Sequence, residues 1–581
     1  MAKKLDKVDV VVIGTGWAGG SIAAELSKKG HSVVALERGE DKTQQDYIGA
    51  KDELRYTSRK IMMQDLSKET ITSRNTSDEE ALPVRTKNEL MVGTDVGGGS
   101  VHWAGATYRW SPFDFEIRSR VEKEYGKDKI PKGMNLQDWG ITYKEMEKYY
   151  EKWEKTAGIS GEKDPIDKHR KMDYPNPPTI ETPNIKLFKD AAKKLGYHPF
   201  QVPSGNVTKQ YENPDGETIN QCQYCAFCTH YGCDFGAKSD PLVTVIPTAK
   251  KQKKFELRTL SEARRIVYDG KKATGVLYVD LRTGEEFEQP CDVVAVAGFT
   301  FTNNRILMMS KIGTQYDPKT GKGTIGRNFH GQFNITFLGA RGFFKDKKFN
   351  MAMGAGALGA TFSDLAGEHI DNSKTDFIHG GGMEIRQYGD GPINNNPVPK
   401  GTPRWGKEFK EKSLFYANRY VQVWFTPGVP AWSHNYLDLD PTYKDHMGDP
   451  LIRATMRYSD QDRNIAKYGI EKAKEVVEKM GADIVDVDEV PEEFDHIYDG
   501  GHYAGGVIMG EDPETSAVNN YLQMWDAENI FVVGASAFPH FGNRHPTATV
   551  GALGYRAAEG IEKYLKDGGM LVEPKGSKAK A

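Results

Sequence analysis

An α/β fold built around a discontinuous dinucleotide-binding domain is predicted for this 581-residue chain by three observations. An apolar run at residues 10–13 leads into Gly14, Gly16 and Gly19, a G-x-G-x-x-G turn, and then into the helical spacing of residues 21–29. A second strand at 31–36 ends on the acidic Glu37. Strand runs at 255–298, and a strand–turn–helix at 528–534 and 549–565, resemble further pieces of the same domain far along the chain. The fold class expected is therefore α/β, a Rossmann-like domain interrupted by an inserted α+β domain.

Each element has a local cause. Residues 10–13 are apolar without alternation, the mark of a parallel strand covered on both faces. Gly14 permits a tight turn, Gly16 lets a pyrophosphate approach the backbone, and Gly19 lets helix and strand pack closely. The helix start then offers unpaired N–H groups and a positive dipole to phosphate. Glu37 stands where a carboxylate accepts hydrogen bonds from ribose hydroxyls. The motif alone does not separate NAD from FAD. Residues 143–157 and 460–480 read as amphipathic helices. The expected division is 7–115, 235–330 and 495–568 for the dinucleotide domain, the last part catalytic, with 116–234 a helical and loop segment carrying a cysteine-rich run. Residues 331–494 are the expected substrate-binding domain, and 569–581 a disordered tail.

Charge excludes some partners. The 78 basic and 81 acidic residues leave a net of -3, which favours neither nucleic acid nor an anionic membrane. No apolar run is long enough to span a bilayer. The N-terminus passes directly into a strand with no signal h-region, so the sequence carries no export address and a cytoplasmic location is expected.

Four of the five cysteines, Cys222, Cys225, Cys228 and Cys233, fall in the run QCQYCAFCTHYGCDFGAK. Crowded thiolates need a cation to hold them, and zinc and iron–sulfur clusters both take four cysteine ligands. Zinc sites more often use two separated C-x2-C pairs, and disulfides fit poorly with the missing signal peptide. The compact x2, x2, x4 spacing favours an iron–sulfur cluster. Cys291 opens an apolar strand and reads as a buried residue.

Several longer segments resemble the glucose–methanol–choline (GMC) oxidoreductases. They are MVGTDVGGGSVHWAGATYR (91–109), VVAVAGFTFTNNRILMMSKIG (293–313), TIGRNFHGQF (324–333), and HYAGGVIMG with NIFVVGASAFPHFGNRHPTATVGALGYRAAEGI (502–561). The cysteine run most closely resembles the branch of gluconate 2-dehydrogenase flavoproteins and related sugar and polyol dehydrogenases. The resemblance implies FAD, a CH–OH donor and an electron acceptor other than nicotinamide. It places Gly14, Gly16, Gly19 and Glu37 on the ADP half of the cofactor and Ala263 at the adenine. Gly97, Gly98, Ser100 and His102 match the isoalloxazine-side loop, and His102 stands where some members link the flavin covalently. Gly534 and Ala535 match the C-terminal flavin contact, although the family usually has aspartate before that alanine.

The same resemblance makes His502 the base that takes the hydroxyl proton while flavin N5 takes the hydride. His545 is the second catalytic position, steadying charge on the oxygen. Asn543 and Arg544 are candidate substrate contacts, since an arginine pairs with a carboxylate bidentately. Trp424 and Trp432 are either sugar-stacking rings or core. A cluster on the four cysteines, [4Fe–4S] or [3Fe–4S], would pass electrons to a cytochrome or quinone. Relatives often work with a small partner subunit that carries an export signal, which sets export of the folded protein beside the cytoplasmic expectation. The alternatives are an oxidase using O2, pyranose oxidase-like, with the cysteine loop held by zinc, and a flavoprotein relay subunit without substrate chemistry.

Overall fold

The computed structural model of the protein describes residues 2–47, 51, 64–85, 92–332, 337–389, 396–492 and 501–575. The end of the tail, residues 576–581, lies outside them, as does Phe333 of the motif at 324–333.

The N-terminal strand β1 (Val8–Ile13) is apolar because both faces are covered, and Val10, Val11 and Val12 have no exposed surface. It feeds helix α1 (Trp17–Lys28), which returns the chain to strand β2 (Val33–Leu36). The next strands arrive more than two hundred residues later: β3 (Phe255–Arg258), β4 (Ser261–Tyr268), β5 (Ala273–Asp280) and the long β6 (Glu286–Val296). β6 joins two parts of the sheet. Its first half pairs antiparallel with β5, and its second half pairs parallel with β1, Val293 opposite Val10. The sheet order β4-β5-β6-β1-β2-β3 thus joins an antiparallel meander to a parallel dinucleotide-binding core. Helix α2 (Thr300–Met309) follows β6.

Among the described residues two larger sheets and a two-stranded pair, Tyr211–Glu212 with Thr218–Ile219, complete the fold. One larger sheet contains β7 (Arg327–Gly331) and ends at the short segments Thr72–Arg74 and Leu82–Pro83, which the expected division places in the dinucleotide domain. The other contains β8 (Gly339–Phe343), β9 (Gly359–Phe362), β10 (Gly381–Arg386) and β11 (Tyr420–Pro427). Strands β12 (Tyr436–Lys444) and β13 (Pro450–Thr455) belong to the first of these. Helix α3 (Asp460–Lys479) is started by a capping box in which Ser459 and Asp462 satisfy each other's backbone donors. It packs its apolar stripe, including Ile465, Ala473 and Val477, on the β8–β11 sheet. At Gly469 a side chain would meet the Phe425 ring 2.2 Å away, so glycine sets that spacing.

The chain finally returns to the dinucleotide domain. Strand β14 (Ile484–Val487) ends the inserted sheet, and β15 (Tyr503–Gly506) pairs with β7. Strand β16 (Ile530–Val532) pairs parallel with β6, and α4 (Thr547–Asp567) packs beside α1. This is the expected α/β architecture of a discontinuous dinucleotide domain with an inserted α+β part.

Candidate active site

A cavity of about 570 Å³ runs from the glycine turn to the C-terminal histidines. At one end it is lined by Gly14, Gly16, Glu37 and Ala263, and along its middle by Gly98, Ser100, His102, Gly534 and Ala535. His502 and His545 lie at the other end. Eleven of the candidate residues thus share one space, although they come from stretches hundreds of residues apart.

The glycines divide their work as their backbones require. Gly14 has φ +91, and a Cβ there would lie 2.9 Å from Ala297 O. A Cβ on Gly19 would lie 2.0 Å from Gly14 O, so Gly19 fixes the packing of α1 on the turn and does not line the cavity. Beside Gly16 the nearest atom is 3.9 Å away, which leaves room for a ligand. The start of α1 has no side-chain cap, leaving its first N–H groups for an anion. Gly97 also stands behind the wall. Its N–H donates to Thr15 Oγ1 at 3.3 Å, and Thr15 in turn donates to Glu37 Oε2 at 2.7 Å. Gly97, which the resemblance places among the cofactor contacts, thus ties its loop to the glycine turn at Thr15 and does not line the cavity.

Glu37 is buried and also accepts N–H groups of Thr15 and Gly39, both at 3.1 Å. Replacing it by alanine is expected to weaken FAD binding about tenfold to a hundredfold, the worth of a charge-assisted hydrogen bond. Flavin fluorescence titration of the apoprotein measures this, and an unchanged affinity would remove Glu37 from the cofactor site.

The residues fit FAD on a second count. His102 is buried, lines the cavity, and its Nε2 has no hydrogen-bond partner among the described residues. Burial pushes its pKa down to about 4, so the ring is neutral. Such a nitrogen is costly unless a bound group meets it.

The histidine pair is set by strand ends. His502 immediately precedes β15, and Gln332 immediately follows β7. The two strands are paired, with Gln332 N donating to His502 O at 3.2 Å. The Gln332 side chain also meets His502 Nδ1, at 3.0 Å. His545 precedes Pro546, which disfavours helical backbone and starts α4 one residue later. The rings of His502 and His545 are 5.3 Å apart and steeply inclined at 70°. Phe541 stacks near His502, and Phe337 and Tyr108 near His545. Burial pushes the pKa of both histidines down, helped for His502 by the charges of His545 and Arg386.

Sequence reading missed the group behind His545. On β10 alternate residues share a face. Met383 and Ile385 enter the apolar core, whereas Glu384 and Arg386 point the other way. Arg386 donates to Glu384 Oε2 through Nε at 3.0 Å and Nη2 at 2.7 Å, and Nη2 also donates to His545 Nε2. Tyr108 donates to the other Glu384 oxygen at 2.8 Å. Arg386 holds the Glu384 carboxyl well below the usual range despite burial.

The two tentative substrate contacts are not in this cavity. Asn543 and Arg544 line a neighbouring cleft with Asp164 and Ser363. Arg544 has φ +68, which turns its side chain away from that of His545. Its guanidinium donates to Phe362 O and Ser363 Oγ and lies 4.6 Å from the Tyr108 ring. That role is structural. Trp424 stacks on Tyr388, and Trp432 belongs to a core cluster with Phe113 and Leu136; neither lines the cavity.

The four cysteines share one loop against the middle of the cavity, where Thr229 and His230 are lining residues. His230 N donates to His102 O at 2.8 Å. The fully buried Lys238 ties the loop down by donating to Trp103 O, Cys228 O and Tyr231 O. Burial, and then the other three cysteines, push the Cys222 thiol up to about 12, and burial raises Cys228 to about 11. The sulfurs therefore sense one another, but among the described residues no three His, Cys, Asp or Glu side chains converge as a metal site. The ligand set expected from the spacing is not assembled among the described residues.

A dinucleotide cleft that ends at a buried histidine pair defines a nucleotide-dependent oxidoreductase. The chain belongs to the GMC oxidoreductase family, whose N-terminal model matches residues 83–334 and whose C-terminal model matches 431–554. It is an FAD-dependent oxidoreductase acting on CH–OH donors. The gluconate 2-dehydrogenase flavoprotein of Pantoea cypripedii is 39% identical, over 99% of this chain and 96% of its own. The fructose dehydrogenase large subunit of Gluconobacter japonicus is 23% identical over 98% of this chain and all of its own. Among solved structures, pyridoxine 4-oxidase from Mesorbium loti has a TM-score of 0.59 at 16% identity, covering 95% of this chain and 98% of its own. No helix among the described residues is long and apolar enough to cross a membrane.

Proposed function

We propose that the protein is a dehydrogenase that oxidises a secondary alcohol of a sugar acid, with gluconate the leading substrate and sugars or polyols the wider class. The observation that carries this reading is the histidine pair at the end of the cavity away from the glycine turn. The likeness to gluconate 2-dehydrogenase over nearly the whole chain supports the substrate. His502 takes the hydroxyl proton while the carbon–hydrogen bond breaks. His545 hydrogen-bonds the same oxygen as the carbonyl forms. The rings of Tyr108, Phe337 and Phe541 limit water around the pair. FAD, once bound, accepts the two electrons as hydride, and Gly14, Gly16, Glu37, Ala263, Ser100, His102 and Ala535 are the residues to hold it.

The electrons then leave to an external carrier, a cytochrome or quinone, and the protein works with a small partner subunit. An iron–sulfur cluster on Cys222, Cys225, Cys228 and Cys233 belongs to this proposal, and it rests on the compact spacing of the four cysteines alone. Purified holoenzyme should bleach its flavin bands with gluconate under anaerobic conditions and reduce a dye without forming peroxide. Iron and acid-labile sulfide should accompany the flavin. Stoichiometric peroxide would make the protein an oxidase, and zinc in place of iron would make the loop structural.

A further inference from the structure

Two side chains to which the motifs assign no role, Gln332 and Arg386, decide which ring nitrogen each histidine can use. Gln332 Nε2 donates to Pro427 O and to Arg544 O, both at 3.1 Å. Carbonyl oxygens only accept, so the amide orientation is fixed and Oε1 faces His502 Nδ1 at 3.0 Å. That nitrogen must carry the proton, and in the neutral ring the basic lone pair is then on Nε2. A guanidinium has no acceptor, so its contact with His545 makes His545 Nε2 the acceptor and puts that ring's proton on Nδ1. The Glu384 Oε2 atom, 3.8 Å from the same Nε2, is beyond hydrogen-bond reach and is already occupied by Arg386.

We propose that Gln332 and Arg386 are positioning residues that divide labour between the histidines. Gln332 presents the Nε2 lone pair of His502 for proton abstraction. Arg386 occupies the Nε2 lone pair of His545, so His545 acts as an N–H donor only. The assignment rests on the reading of this pair as the site of alcohol oxidation, but the tautomers themselves do not. Among the described residues, charged and titratable groups facing the pair include Arg386, Glu384, Tyr108 and Arg544, together with the two histidines themselves. Arg386 is balanced by Glu384, so both are changed together in the test.

Solid-state nitrogen NMR of histidine-labelled holoenzyme reads the tautomers directly. The two rings are identified by the signals lost in His502→Ala and His545→Ala. Both should carry the proton on Nδ1. In Gln332→Met the His502 signal should divide between two tautomers while His545 stays fixed. In Glu384→Gln/Arg386→Met the reverse should hold. A wild-type His502 protonated on Nε2, or tautomers unmoved by the substitutions, would overturn the proposal whatever the substrate proves to be.

Kinetics supplies the second arm, with gluconate as probe. Gln332→Met should lower the rate of flavin reduction about tenfold or more, as expected for a mis-set histidine tautomer, with KM within about twofold and the flavin content unchanged. A merely structural role would instead reduce flavin content and raise KM. Failure of gluconate and every other CH–OH donor to reduce wild-type flavin would sink the functional reading while the NMR result stood. Normal turnover in Gln332→Met with altered tautomers would show that the positioning does not serve the reaction.

Discussion

Replacing His502 by alanine is expected to slow reduction of the flavin by substrate by about 10²–10⁴-fold, the usual worth of a positioned general base. The loss should fall on the reduction step and leave KM nearly unchanged, since the proton moves only as the hydride does. His545 should not substitute, because Arg386 occupies its Nε2. The pH dependence follows from the direction of the shift. Burial and the neighbouring charges hold the His502 pKa well below its ordinary value of 6.5. The base is active when neutral, so the acid limb of kcat/KM should lie below that value, with activity kept where an exposed histidine would already be protonated. Stopped-flow reduction under anaerobic conditions measures both. Turnover within tenfold of the parent in His502→Ala would move the base elsewhere.

The features legible in the sequence were those written locally. A glycine turn between a strand and a helix has one physical use, and Gly14, Gly16 and Glu37 reach the cavity as expected. His502 and His545 were reached through longer segment resemblance, since no spacing relates them. Glu384 and Arg386 were not reached at all. Their only local signal is two charged residues alternating with Met383 and Ile385 in a strand, a pattern that ordinarily means a solvent-facing edge. The inserted sheet turns that face inward, toward residues 160 positions away. Asn543 and Arg544 failed for a different reason. Adjacency to His545 suggested a shared site, but the left-handed backbone at Arg544 parts the neighbouring side chains. Spacing alone placed four cysteines on one loop, but it does not dictate how their sulfurs are aimed.

The second large effect is expected at Glu384. Both Glu384 and Arg386 side chains are almost wholly buried, 0% and 2% exposed, with the guanidinium 2.7 Å from the carboxylate. Glu384→Leu leaves the guanidinium uncompensated, which should cost about 3–5 kcal/mol, and it also takes the acceptor from Tyr108. The thermal midpoint should fall by about 5–10 °C. Removing the arginine as well, in Glu384→Leu/Arg386→Met, should recover most of that loss, because two apolar side chains of similar volume need no partner. A double variant as unstable as the single one would mean that the ion pair contributes net stability. Acid should act through the same carboxyl. Its pKa is depressed in the folded protein, so its contribution is present above the ordinary carboxylate range of about 4.3 and is lost only as pH falls well below it. The recovered double variant then separates stability from chemistry. It should melt close to the parent while His545, no longer capped, samples both tautomers, so any remaining defect in flavin reduction belongs to the positioning of the histidine.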